Sequence, residues 1–173
     1  IVRRLVGSEM CIRDSSNMCH ESSGKALIQT IGIGKGTVHL EDFNHSHLIL
    51  IIGQNPGTNH PRMLTALRDA KKKGAKIISI NPLQETGMKR FKHPQDYLTG
   101  DVKSIQLADL HVPVRIGGDA ALLKGVMKQL LALDAIDRDF IASKTKAFEE
   151  FESDLAKQDW QKIVNDSGIE REM

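Results

Sequence analysis

Aromatic residues are scarce in this chain of 173 residues: one Trp, one Tyr and five Phe, 4% in all. A core of ordinary density must therefore be assembled from Ile, Leu, Val and Ala. Cysteine is scarcer still. Cys11 and Cys19 are its two thiols, too few for a disulfide framework or a four-thiolate metal site. No apolar run approaches the roughly 18 residues that span a bilayer, and no secretory signal is evident. No membrane span is expected, and the expected location is cytoplasmic. No internal repeat is visible. Net charge is low, +2 from 24 Lys and Arg against 22 Asp and Glu, so nothing designates a polyanion and nucleic acid is not an expected partner.

What is present fits one globular domain of average make-up, 40% hydrophobic and 27% charged. Charge is unevenly spread. Arg62, Arg68, Lys71, Lys72, Lys73, Lys76, Lys89, Arg90 and Lys92 stand against Asp69 and Glu85 in the middle of the chain, while residues from Asp134 onward are net acidic. A basic middle can hold phosphates or be a solvated helix face.

Apolar patterning gives the element order. Ala26, Leu27 and Ile31 fit a short helix over Glu21 to Ile31, ended by Gly32. His47 to Gly53 is a continuous apolar run, which reads as a strand buried on both faces. After a loop, Pro61 opens a helix at the position where its missing N–H costs nothing. That helix runs to Lys73, with Leu64, Leu67 and Ala70 inward, lysines in the last turn and Gly74 as its stop. Ala75 to Ile80 is a second buried strand. Strand, helix and strand make a βαβ unit, hence a parallel sheet with a right-handed crossover.

Residues 83–106 are polar and irregular and read as a surface excursion. Leu110 to Val114 is a short third strand. Gly117-Gly118-Asp119 then caps a helix over Ala120 to Leu133, with Leu122, Leu123, Val126, Met127, Leu130 and Leu131 as its apolar stripe. Asp137 opens another helix, and Phe148, Phe151, Leu155, Trp160 and Ile163 continue helical periodicity. Ser167-Gly168-Ile169-Glu170 reads as a further helix start, with a polar cap and acids in its first turn. The fold class is α/β: a doubly wound, Rossmann-like parallel sheet, incomplete.

In such sheets ligands bind beyond the carboxyl ends of the strands, where loops meet helix N-termini. Three loops qualify: Gly53–His60, Asn81–Glu85 and Arg115–Asp119. The glycine cluster Gly32-Ile33-Gly34-Lys35-Gly36-Thr37 does not. It precedes the strand and satisfies neither dinucleotide nor P-loop spacing. The loop Gly53-Gln54-Asn55-Pro56-Gly57-Thr58-Asn59-His60 offers close backbone approach, neutral amides and a following helix N-terminus. Taken alone it is either a generic ligand loop or a structural turn. The remaining histidines His39, His45, His47, His93 and His111 lack metal-ligand spacing, and His60, beside the helix start, reads as structural or as facing a ligand.

The order of this loop, the helix from Arg62, Ala75-Lys76-Ile77-Ile78-Ser79-Ile80-Asn81-Pro82, the stretch from Ala108 to Leu123 and Asp139-Phe140-Ile141-Ala142 resembles the molybdopterin oxidoreductase family, in its formate dehydrogenase H-like branch. The likeness covers nearly all of 16–173. It implies a molybdopterin-binding domain in which Gly53, Gln54, Asn55 and Asn59 line the cofactor from the first loop, Asn81 and Pro82 from the second, and Gly117 and Asp119 from the third. The cofactor implied is molybdenum bis(molybdopterin guanine dinucleotide), with a 4Fe-4S cluster in the intact protein outside this chain. The resemblance also makes Cys19, followed directly by His20, the molybdenum ligand, and His20 an acid/base beside it. A small-molecule substrate such as formate and an electron-transfer partner are implied. Relatives that oxidise formate carry an acid-Pro-Arg after the second strand where this chain has Asn81-Pro82-Leu83, a departure that counts against formate itself. Without the resemblance, a non-catalytic nucleotide-binding module, such as the middle domain of a thiamine-dependent enzyme, or a purely structural α/β domain would share the sheet and the loops.

Both ends look cut. The chain starts at Ile1, and Val6-Gly7-Ser8-Glu9-Met10-Cys11-Ile12-Arg13-Asp14-Ser15 resembles a translated sequencing adapter. Residues 1–15 are therefore expected to be non-native, and 16–173 a partial domain truncated at both ends.

Overall fold

The computed structural model describes residues 21–93 and 104–173, in two compact units, Ile1–Leu40 and Glu41–Met173. In the first, α1 (Glu21–Ile31) has the expected bounds, and Gly32 leaves it at a φ of +80°. That left-handed turn favours glycine and ends the helix.

The second unit is built on a three-stranded parallel sheet in the order β1 (Leu48–Ile52), β2 (Lys76–Ile80), β3 (Leu110–Val112). Ile51 lies opposite Ser79, and Ser79 opposite His111. The strands are one or two residues shorter than the apolar runs that announce them. Between β1 and β2 lie α2 (Pro56–Asn59) and α3 (Pro61–Lys72). After β2 comes α4 (Thr86–Lys89), and after β3 come α5 (Asp119–Ala132), α6 (Arg138–Lys144), α7 (Phe148–Lys157) and α8 (Trp160–Ser167). Two short helices, α2 and α4, thus replace what reads as plain loop.

Alternation along the strands sends side chains to opposite faces. On one face Ile51 and Ile77 meet Leu64 and Leu67 of α3, with Met88, Leu107 and Ala108 closing the cluster. On the other, Ile80 and Val112 meet Val114, Ile169 and Leu122. Packing on both faces is the doubly wound arrangement. α3 carries its expected signals: Leu64, Leu67 and Ala70 are its buried residues, and Gly74 turns away at a φ of +103°.

Three expectations are corrected. β1 is not buried on both faces: Leu48, Leu50 and Ile52 are 53%, 47% and 42% exposed. They share the face of Ile78 and Ile80, but the C-terminal elements cluster over β2 and β3 there and leave β1 open. The stripe of α5 is only partly used, since Gly125 is its buried residue and Val126 and Leu130 stay exposed. A tight crossing explains this, because a methyl group on Gly125 would lie 2.9 Å from Ile163 Cγ2 of α8. Finally, Ser167-Gly168 closes a helix instead of opening one. Gly168, at a φ of +71°, is the C-cap of α8, and its N–H reaches the Val164 carbonyl. The polar-cap pattern misleads because the left-handed glycine that ends a helix carries no side chain to distinguish it.

At the amino end of the sheet Asp109 bridges β2 and α3. Its Oδ2 accepts the Ile77 N–H at 2.9 Å, and its Oδ1 lies 2.8 Å from Lys71 Nζ and 3.9 Å from Lys76 Nζ. Burial works against this charge, but the Lys71 and Ile77 hydrogen bonds and the two lysine charges outweigh it, and the carboxyl titrates below its usual range. A folded pKa that is depressed stabilises fully above the unfolded value near about 3.9 and loses its contribution as pH falls through the folded value. Asp109→Asn is expected to cost about 1 kcal/mol at neutral pH, the scale of a partly exposed pair. In acid the gap should close, so melting curves of both proteins from pH 7 downward check it. A gap that stays constant with pH would show that the charge contributes nothing.

Candidate cofactor cradle

The three loops leave the same end of the sheet because all three strands are parallel. Their roots are joined by backbone hydrogen bonds that continue the ladder. Gly53 N–H donates to the Ile80 carbonyl at 2.9 Å, and Asn81 N–H donates to the Val112 carbonyl at 3.1 Å. Sheet geometry therefore brings Gly53, Asn81 and the residues after Val112 side by side.

Each loop is shaped by its own side chains. In the first, Gly53 takes a φ of +66° with nothing within 4 Å of where a Cβ would stand. Asn55 caps α2 by accepting the Thr58 N–H, and Gln54 Nε2 sits 3.1 Å from His60 Nδ1. His60 is thus held within the loop by Gln54. Asn59 is exposed. In the second loop Asn81 is buried and turns the chain by accepting the Leu83 N–H at 3.0 Å, while Pro82 is exposed. In the third, Gly117 has a φ of +80° and open space beside it, and Asp119 stands half-buried in the first turn of α5. Arg115 fastens this loop to the end of α8, its N–H to the Ser167 carbonyl at 2.8 Å and its guanidinium to the Asn165 carbonyl.

A groove of about 400 Å³ runs from the third loop along α5, lined by Arg115, Gly117, Ala120, Lys124 and Lys162 among others. Two helices of full length, α3 and α5, begin at these loops, and neither has a side chain capping its first turn. Uncapped N–H groups and the positive end of the helix dipole favour an anion. The polar groups are neutral amides, backbone N–H groups, the cations Arg115, Lys124 and Lys162 along the groove and one accepting carboxylate, with two glycines whose missing side chains leave room. That chemistry fits a phosphate-bearing dinucleotide with a heterocyclic edge.

Three residues that shape the site carry no individual sequence signal: Glu85, Gly57 and Gly87. Asn55 Nδ2 donates to Glu85 Oε2 at 2.6 Å, linking the first loop to the second. Glu85 reads in sequence only as one of two acids in a basic stretch and as the end of the second loop. Cys19 and His20 lie outside the described residues. Among the described residues no group of three or more His, Cys, Asp or Glu is placed to hold a metal, and no helix is long and apolar enough to cross a membrane.

The family model for molybdopterin oxidoreductase matches residues 2–136. Protein YdeP of Escherichia coli (strain K12) is 48% identical over 169 residues, covering 90% of this chain and 22% of that protein. Formate dehydrogenase H of the same organism is 26% identical over 136 residues, covering 79% of this chain and 17% of that protein. Among solved structures, acetylene hydratase from Pelobacter acetylenicus superposes with a TM-score of 0.68 at 22% identity, over 91% of this chain and 19% of that one, a likeness of fold. The chain spans about a fifth of the length of the curated relatives it matches. With its α/β architecture and its loop order, the chain belongs to the molybdopterin oxidoreductase family.

Proposed function

We propose that this chain is the part of a molybdenum-dependent oxidoreductase that cradles one molybdopterin guanine dinucleotide. One observation carries the reading: three loops, two of them with an open glycine, and two uncapped helix N-termini converge at one end of a parallel sheet in a chain of this family. Gly53 and Gly117 would let the backbone approach the ligand. Gln54, Asn59 and Asn81 would meet its polar edges, Pro82 would pack beside them, and the starts of α3 and α5 would meet its phosphates. The Asp119 carboxylate suits the N–H edge of a guanine.

When bound, the molybdenum centre supplies two-electron redox chemistry on a small substrate, formate or a similar molecule. Cys19 is proposed as the protein's ligand to the metal, since a thiolate suits such a site, and His20 beside it as the group that carries the substrate proton. A 4Fe-4S cluster and an electron-transfer partner belong to the intact protein in this reading. Formate dehydrogenase H is the relative whose name supports a formate-like substrate, while Leu83 departs from the pattern of formate-oxidising relatives.

The full-length protein, purified from cells supplied with molybdate, is expected to contain molybdenum, pterin and guanine nucleotide in fixed proportion. Elemental analysis and pterin fluorescence measure this. Protein that folds but holds neither molybdenum nor pterin overturns the reading.

A further inference from the structure

We propose that Glu85 is a positioning residue of the cradle, which locks the first loop to the second by holding Asn55. The inference rests on the cofactor reading above and adds to the role that the resemblance implies for one residue. The resemblance implies that Asn55 lines the cofactor, and both polar atoms of its amide make a hydrogen bond inside the protein. Its Oδ1 accepts the Thr58 N–H at 3.2 Å, and its Nδ2 donates to Glu85 Oε2 at 2.6 Å. One N–H and one lone pair of the Asn55 amide are thus committed to shaping the loop.

Glu85 stands at the N-cap of α4 but makes no cap bond with its side chain. Its carboxylate reaches across 30 residues of sequence to Asn55 instead. A second contact lies beside the first. A methyl group on Gly87 would come 3.2 Å from Gly57 Cα, and one on Gly57 would come 3.4 Å from Gly87 Cα. The two short helices therefore touch glycine to glycine, with the Asn55–Glu85 bond alongside. The roots of the loops are already joined at Gly53 and Ile80. This outer contact joins them again, so Gln54 and Asn59 are held at a set distance from Asn81 and Pro82. A cradle fixed beforehand loses less freedom when the ligand binds.

The pair can be tested by exchanging donor and acceptor in the full-length holo-protein. The readouts are the rate of pterin and molybdenum loss on dialysis and the melting temperature of the cofactor-free form. Glu85→Ala is expected to lose cofactor about tenfold faster, the lower end of what removing a supporting partner costs a bound centre. Glu85→Gln, which still accepts the Asn55 N–H, should stay near wild type. Asn55→Asp alone should behave like Glu85→Ala, because two carboxylates then face each other. Combining Asn55→Asp with Glu85→Gln restores a donor and an acceptor and should restore retention.

A merely structural role would lower the melting of cofactor-free and loaded protein alike and leave the loss rate unchanged. That result, or a double variant no better than Asn55→Asp, overturns the proposal while wild type still holds its cofactor. Wild-type protein without pterin overturns the cofactor reading, and this proposal with it. Should Glu85→Ala fail to fold, the comparison of Asn55→Asp with the double variant still decides.

Discussion

Gly118→Ala is expected to lower the unfolding free energy of this chain by about 2–3 kcal/mol, the upper range for forcing a methyl group into filled space. The reason is steric and not conformational. Gly118 has a φ of −86°, which any residue adopts. A Cβ there, however, would stand 2.6 Å from the Asp166 carbonyl oxygen, 2.9 Å from the Arg115 carbonyl oxygen and 2.9 Å from Ser167 Cα. All three are backbone atoms, so no side chain can rotate away. Relief requires the third loop or the end of α8 to move, and both are fastened: the Arg115 N–H bonds the Ser167 carbonyl, and Gly168 caps α8. Gly36→Ala is the control, since nothing lies within 4 Å of its Cβ position and its φ is not in the left-handed region. It should change stability by less than about 0.5 kcal/mol. Urea denaturation with linear extrapolation measures both. Equal midpoints for Gly118→Ala and wild type would show that the packing at the α8 terminus is looser than the distances state. Because Gly118 sits between Gly117 and Asp119, the same substitution should also weaken cofactor retention.

Cys19→Ser in the full-length protein should reduce turnover by at least roughly a hundredfold, the upper range already seen when a partner behind a metal ligand is removed. A serine hydroxyl holds its proton far more firmly than a thiol, and oxygen is a harder donor than sulfur. Pterin content should stay near that of wild type, because the proposed pterin contacts lie in the three strand loops and not at Cys19. The combination separates a ligand from a residue needed for folding. Near-normal turnover would end the proposal for Cys19. Loss of pterin together with activity would assign it to the structure of its segment.

The local signals in the sequence were strong where structure is decided within a few residues. Pro61, the lysines at 71–73 and Gly74 bound α3 within one residue of its observed end, and its inward face was legible from spacing alone. The three strand loops were legible too, because parallel topology dictates where they emerge. The family match also displaces the thiamine-enzyme alternative, which sheet and loops alone left open. What escaped depends on distant partners. The open face of β1 follows from how far the C-terminal helices reach across the sheet, which a run of Leu and Ile does not encode. Asn55 and Glu85 are 30 positions apart, and nothing in either loop names the other. Gly118 looks like an ordinary cap glycine until α8 is placed against it.

The uncovered side of β1 bears on how the stability of this chain varies with temperature. Leu48, Leu50, Ile52 and Leu110 keep roughly half of their surface in water when the sheet is formed. Unfolding therefore newly hydrates less hydrocarbon than a chain of this length ordinarily would. Newly hydrated hydrocarbon is the source of the heat-capacity increment on unfolding, usually about 12–15 cal/mol/K per residue. A smaller increment flattens the dome of free energy against temperature. Cooling then weakens this fold less than it weakens one whose sheet is fully enclosed.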